Sequence, residues 1–536
     1  MALLAFVLLL ASGAARAGSR IDLAAPALRD IAVSNGSTPF AGDGPLLTTI
    51  TPNGDGFRDR AEIRFELSEP ATVTLEVQRT TRVPKTIFTR TWWLAPGPQT
   101  VTWAPQPTIP PRTYVMRLIV TDTAGNARAY GSLDARVGQY PRAPDVRVQG
   151  VDAGFTRPSY APGQLAFLRV STDAPSLSLE VFRAGPEQVP TYPDNVMNGV
   201  PVAQPISLDW SRRRDAPEAI RFRVGAWQSG LYYAQLTAPD GRVGYAPFVV
   251  RPSFFGLQSR AAVVLPTNTW QAYNFYDDNG DGWGDTWYAG PPHQRAKLGR
   301  PFLRRGVPPF FRRYDLGFLN WLAWTGKTVD YLSESDLAFV RTGHDLANAY
   351  DLVVFSGHTE YVRDHEYDLI EQYRDAGGNL AFLSANNFFW RVEQRNWVLL
   401  RTALWRNLGR PEARLIGVQY RASDEGHHQG LFVVRSAAGA PWLWDGTELA
   451  DGSTFGAFGG YGIEIDAMTP ESPPGTTVLA EIPDLFGPGL TAQMTYYETP
   501  AGAKVFAAGA LDLGGSASTW PVSRMLENLW ARLSAP

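Results

Sequence analysis

Three polar clusters, each directly after a short apolar run, hold the side chains of this 536-residue chain best suited to chemistry. Pro266-Thr-Asn-Thr-Trp-Gln-Ala-Tyr273-Asn274 follows Ala261–Leu265. Ser356-Gly-His358-Thr-Glu360-Tyr361 follows Asp351–Phe355. Ser384-Ala-Asn386-Asn387-Phe-Phe-Trp390-Arg391-Val-Glu393 follows Asn379–Leu383. In open parallel sheets ligands gather beyond the carboxyl ends of the strands, so polar residues in these places carry more weight than elsewhere. His358 and Glu360, two apart, would share one side of an extended backbone and offer the imidazole and carboxylate that proton transfer or metal binding uses. The plainer alternative is that either one only caps a following helix. A further polar segment, Met494-Thr-Tyr-Tyr-Glu498-Thr-Pro500, precedes an apolar run, Val505–Ala508, instead of following one.

Residue supply narrows the chemistry. The chain has no cysteine, which removes disulfides, thiolate metal sites and cysteine nucleophiles. Histidine occurs only at 293, 344, 358, 365, 427 and 428, so a three-histidine metal site is poorly supplied. No G-x-S-x-G elbow is present to support a serine hydrolase. Lys plus Arg is 49 and Asp plus Glu 52, a net charge of −3 that gives no basis for a nucleic-acid partner. His427-His428 reads as a solvated loop. The five arginines between Arg300 and Arg313 suit an anionic substrate or an ion-paired loop equally well.

The elements that must position these residues fall into three blocks. Residues 27–138 alternate apolar and polar side chains in short runs: Ile63, Phe65 and Leu67, then a Glu69-Pro70 turn, then Val73, Leu75 and Val77, which predicts a hairpin. A second all-β block runs from 143 to 252, with Leu177, Leu179 and Val181 in one strand and Phe222 and Val224 in another. From 256 to 536 apolar strands alternate with helical stretches near 318–325, 366–376 and 520–533, which predicts a parallel sheet with helices. The reading is thus multidomain: two N-terminal Ig-like β-sandwiches, then an α/β flavodoxin-like (glutamine amidotransferase-like) domain with a parallel sheet. Residues 1–17 read as a signal peptide, a short apolar run followed by Ala15-Arg-Ala17, which implies export to the periplasm or beyond. No later segment has the apolar length of a transmembrane helix.

Two resemblances add to this. Thr51-Pro-Asn-Gly-Asp-Gly-Phe-Arg-Asp59 resembles the opening of Ig-like domains related to the flagellar hook-capping protein. Leu265–Asn274, Ser356–Tyr361, Arg374–Ser384 and Glu498–Phe506 resemble the catalytic part of the N,N-dimethylformamidase large (β) subunit family, and Trp227–Pro252 resembles the domain before it. The resemblance implies an amide hydrolase with a ferric ion held by two tyrosines and a glutamate. Carried onto this sequence, the metal ligands are Tyr273, Tyr314 and Glu360, while His358, Asn386 and Glu498 surround the metal, with Glu498 as general base. It further implies a small amide-containing substrate and a separate small subunit or a homo-oligomer. Such a donor set is chemically coherent, since hard Fe(III) favours anionic oxygen ligands.

Directly after the first motif, Asp277-Asp-Asn279-Gly-Asp281-Gly has the core of a calcium loop, with Asp277, Asn279 and Asp281 as oxygen donors. Position twelve is Tyr288, not Glu, and a metal-free polar turn is an equal alternative. The leading expectation is therefore an exported iron-dependent hydrolase of a C–N bond. Its rival is a secreted binding or adhesion protein that keeps the fold without the reaction.

Overall fold

The computed structural model describes residues 22–131, 144–187, 189–289 and 295–535. The leader expected at 1–17 and His293 lie outside them. Strands dominate, and no helix among the described residues is long and apolar enough to cross a membrane.

In the first unit a three-stranded sheet (Leu28–Ser34, Ala61–Leu67, Gly97–Trp103) faces a larger sheet built on Ala71–Arg79 and Arg112–Thr121. Ile63, Phe65 and Leu67 meet Val73, Leu75 and Val77 in one core. The two segments do not pair as the predicted hairpin, however. Ala61–Leu67 pairs with Leu28–Ser34 and Gly97–Trp103, and Ala71–Arg79 with Lys85–Leu94 and Arg112–Thr121. The Glu69-Pro70 turn carries the chain from one layer to the other. Alternation alone reports a buried face, and a buried face arises equally well across a sandwich as within a hairpin. The larger sheet also takes in Asp145–Val148, so the first unit extends beyond 143, where the second was expected to start.

The second unit repeats the plan, with Asp152–Phe155, Leu165–Ser171 and Glu218–Arg223 facing a sheet centred on Ser176–Arg183, Gly230–Thr237 and Val243–Val250. Leu177, Leu179, Val181, Phe222 and Val224 lie together in its core.

The third unit is organised by a nine-stranded sheet. In chain order its strands are β1 (Ala261–Leu265), β2 (Asp330–Ser333), β3 (Leu352–Phe355), β4 (Asn379–Phe382), β5 (Phe432–Val434), β6 (Thr454–Phe455), β7 (Thr477–Ile482), β8 (Ala492–Glu498) and β9 (Lys504–Ala507). Their spatial order is β2-β1-β3-β4-β9-β8-β7-β5-β6. Pairings from β2 to β9 are parallel. From β9 onward they are antiparallel. The sheet is therefore mixed, not the wholly parallel flavodoxin-like sheet expected. Short connections join β7 to β8 and β8 to β9, and such connections cannot join parallel neighbours. β1 is apolar at every position because its two faces serve two cores: Val263 and Leu265 pack on one side, Ala262 and Val264 on the other.

Helices Leu316–Trp324, Asp364–Asp375 and Val522–Leu533 form close to their expected places. The Asp364–Asp375 helix opens with Glu366 accepting the Arg363 N–H at 2.9 Å, and Gly377 beyond its end has φ +95°.

Backbones cross tightly beneath the carboxyl ends of β3 and β4. A Cβ on Gly515 would lie 1.6 Å from the Arg313 carbonyl oxygen, and one on Gly514 would lie 2.4 Å from that of Ser356. Gly515→Ala must therefore push away the turn that carries Tyr314. It is expected to destabilise the protein by roughly 2–3 kcal/mol, the scale of a forced overpacking, read as a lower urea midpoint with an unchanged m-value.

Candidate active site

The site forms where loops leave the carboxyl ends of β1, β3 and β4. In chain order the parallel half runs second, first, third, fourth, fifth. The loops after β1 and β3 therefore depart at the point where the winding reverses, which in open α/β sheets is the crevice where ligands bind.

Helix Thr267–Ala272 follows β1 and presents Tyr273 from its end. It is held by Glu334, whose Oε2 accepts from the Asn268 N–H and, at 3.1 Å, from the Thr267 hydroxyl. Thr269 Oγ1 accepts the Glu360 N–H at 3.1 Å, which ties the loops after β1 and β3 together. The Tyr273 hydroxyl then donates to Glu360 Oε2 at 2.9 Å. Its ring lies 5.7 Å from the imidazole of His358. Tyr314 also packs on that imidazole, edge-on at 6.3 Å, and Phe310 packs against both tyrosines. His358 Nε2 is 3.6 Å from Glu360 Oε2, so this pair does meet through the loop. Asn386 adopts φ +54°, a left-handed conformation that Asn tolerates better than most residues. Its side-chain amide donates to Glu464 Oε2 at 2.9 Å, and its backbone N–H donates to Asp466 at 2.9 and 3.0 Å.

The structure thus brings together Tyr273, Tyr314, His358, Glu360 and Asn386. It does not bring in Glu498. That residue ends β8, which runs antiparallel to β9 and sets Glu498 opposite Lys504, at the amino end of the parallel strands. The Glu498 side chain is 44% exposed and pairs with Arg532 at 2.8 Å, while the Tyr496 hydroxyl donates to it at 2.5 Å. The reversed direction of β8 removes it from the site.

In its place stands Glu464, which sequence reasoning missed. It lies on strand Tyr461–Ala467, where register slips between Gly462 and Ile465 and Ile463 takes φ +64°. Bulges of this kind re-aim side chains beside functional sites. Glu464 Oε2 is 3.1 Å from His358 Nε2. Tyr288 was missed as well, having been read as position twelve of a calcium loop. Its hydroxyl donates to that of Tyr273 at 3.1 Å and makes a very short contact with that of Tyr361.

The Asp-rich loop directs its oxygens inward. Asp277 accepts the Gly280 and Gly282 N–H groups, Asn279 accepts that of Asp281, and Asp281 that of Trp283. These are Asx-type turn contacts, which close the loop on itself. The loop also bridges the domains: Asp278 pairs with Lys297 and with Arg169 of the second sandwich, and Thr80 of the first sandwich donates to the Gly282 carbonyl. His428 pairs with Asp424 on the surface.

Burial governs the charges. It would drive the His358 imidazole neutral, but the carboxylates of Glu464, Glu360 and Asp466 raise its pKa to about 9. Burial likewise opposes charge on Glu464, yet the His358 charge and the Asn386 amide hold its carboxyl below the usual range. Burial, with Glu464 nearby, holds Glu360 above that range. Asp466 is pushed up to about 7 by burial. The Tyr273 and Tyr314 phenols are driven well above 10, by burial and then by the neighbouring carboxylates Glu360 and Asp512 respectively. The protein alone therefore keeps both phenols protonated, and phenolate there requires a cation.

Two buried polar atoms, His358 Nε2 and Asn386 Oδ1, have no well-directed hydrogen-bond partner. Together with Tyr273 and Glu360 they surround hard oxygen donors with unused polar groups, an arrangement that fits a hard cation and a polar ligand.

The N,N-dimethylformamidase beta subunits of Paracoccus aminophilus and of an Alcaligenes species are 28% and 27% identical to this chain over 291 residues. Each match covers 43% of this chain and 38% of the relative, so the chain aligns with under two-fifths of the length of these curated relatives. A solved structure of E. coli alpha-2-macroglobulin overlays 42% of this chain and 16% of its own at a TM-score of 0.24 and 12% identity, too little to carry an argument. The family described as N,N-dimethylformamidase beta subunit-like, C-terminal, matches residues 204–520, which include every residue of the crevice named above. With more than half of its length inside that match, the chain belongs to the N,N-dimethylformamidase beta subunit-like family.

Proposed function

We propose that this protein is an exported, iron-dependent hydrolase of amide C–N bonds. The observation that carries the reading is the meeting of Tyr273, Glu360, His358, Glu464 and Asn386 at one sheet edge, with two buried polar atoms there lacking directed partners. Family membership supports the amide chemistry. The β2-β1-β3-β4-β9 order of the parallel half supports a ligand at the switch point between β1 and β3. Export rests on the leader at residues 1–17.

Tyr273, Tyr314 and Glu360 would hold the ferric ion, which when bound supplies Lewis-acid polarisation of an amide carbonyl. The remaining roles belong to the chain. Glu464 is the general base in place of Glu498. Its contacts with His358 and Asn386 fall on Oε2, which leaves Oε1 to take a proton from the attacking water. Asn386 holds the Glu464 carboxylate in place. The water oxygen bonds to the carbonyl carbon, the C–N bond breaks, and the His358 imidazolium donates its proton to the departing nitrogen. The proton on Glu464 then returns to His358 across the 3.1 Å contact.

Two measurements on purified protein test this reading. About one equivalent of iron with a tyrosinate charge-transfer band is expected, together with dimethylamine release from N,N-dimethylformamide. Colourless protein after iron supplementation, with no amine release, favours the non-catalytic rival.

A further inference from the structure

Arg82 reaches the tyrosine cluster of the site from the first sandwich, outside the family match at 204–520. It lies in the turn between strands Ala71–Arg79 and Lys85–Leu94. The base of that turn is fixed: Arg112 donates to the Thr80 carbonyl, and the Thr80 hydroxyl donates to the Gly282 carbonyl of the Asp-rich loop. From there the guanidinium carbon lies 4.8 Å from the ring centroid of Tyr288, whose hydroxyl touches Tyr273. Its other contact is Glu425, at 2.8 Å. Arg82 and Glu425 are 48% and 69% exposed, so their ion pair is a solvated one that contributes little and exchanges readily. The Arg82 charge also reaches inward, where it adds a minor share to the lowering of the Glu464 carboxyl.

From this placement we propose that Arg82 is the docking point for a substrate carboxylate, so that the crevice takes amides bearing an anionic group, as in N-acyl amino acids. The inference rests on the hydrolase reading above and names its substrate class. A guanidinium stacked on an aromatic face keeps a planar fork free for bidentate carboxylate binding, and a substrate carboxylate would displace Glu425 from that fork. Stacking alone gives Arg82 a structural role, and the two roles differ in how Glu425 should behave.

The test is calorimetric binding of N-acetylglycine and of acetamide to the full chain. Wild type is expected to prefer N-acetylglycine by about tenfold or more, the scale of a charge-assisted contact. Arg82→Gln should remove that preference. Glu425→Gln, which frees the fork, should raise it. Arg90→Gln, on the same sandwich but beside Trp92, should leave it unchanged. An absent preference in wild type, its survival in Arg82→Gln, or its loss in Glu425→Gln overturns the proposal. Circular dichroism confirms the fold, and if Arg82→Gln misfolds, Glu425→Gln decides. Release of glycine from N-acetylglycine by the iron-loaded wild type reports the hydrolase reading separately from the binding preference, so failure of one is distinguishable from failure of the other.

Discussion

Glu464→Gln is expected to lower kcat/KM for amide hydrolysis by about 10²- to 10⁴-fold, the usual contribution of a positioned general base. Glu498→Gln is expected to change it less than twofold. Gln matches Glu in shape and still reaches the Asn386 side chain, so the fold around strand Tyr461–Ala467 should survive while the proton acceptor is lost. Glu498, at the far end of the sheet and paired with Arg532, has no route to the crevice. The two variants are a direct contrast between a carboxylate chosen from the sequence and one placed by the fold. Equal losses in both, or a Glu464→Gln enzyme of wild-type rate, would overturn the role given to Glu464. Far-UV circular dichroism and the urea midpoint separate loss of chemistry from loss of structure.

Tyr273→Phe should abolish both the iron content and the visible band of the loaded protein. The phenol donates to Glu360 and receives the Tyr288 hydroxyl, so its oxygen stands between the carboxylate and the rest of the tyrosine cluster. Without a cation, burial keeps that phenol protonated, so colour reports ionisation of the phenol by the metal. A second readout is thermal. A ligand that binds only the folded state stabilises it by about 4 kcal/mol at a thousandfold excess over Kd. Wild type should therefore gain Tm on iron addition, and Tyr273→Phe should gain none. Iron and colour retained in the variant would remove Tyr273 from the donor set and with it the proposed centre.

Much of the site was legible because local sequence carries it. An apolar run of strand length such as Ala261–Leu265 is typical of a parallel strand buried on both faces, and the polar residues after such a strand sit at its carboxyl end. That logic places Tyr273, His358, Glu360 and Asn386 at one edge. The absence of cysteine and the shortage of histidine confine any metal there to oxygen-rich ligands. Glu498 came from the family resemblance and not from this logic, since its segment precedes an apolar run, and the antiparallel direction of β8 sets it at the other end of the sheet.

Strand direction is not local. Whether β8 runs with or against β9 depends on pairing partners drawn from distant parts of the chain, and periodicity is identical in both cases. The hairpin expected around Glu69-Pro70 failed for a related reason, since alternation records burial of a face without recording which layer covers it. Glu464 owes its place to a bulge, Tyr288 to a loop clamped between domains, and Arg82 to a turn that meets the crevice across about two hundred residues of chain. The sequence by itself determined the strands, the donor types and the end of the sheet where β1, β3 and β4 deliver them. Tertiary structure alone decided that Glu464 faces His358 and that Arg82 lies over Tyr288, because those contacts join segments whose separation along the chain hides their proximity in space.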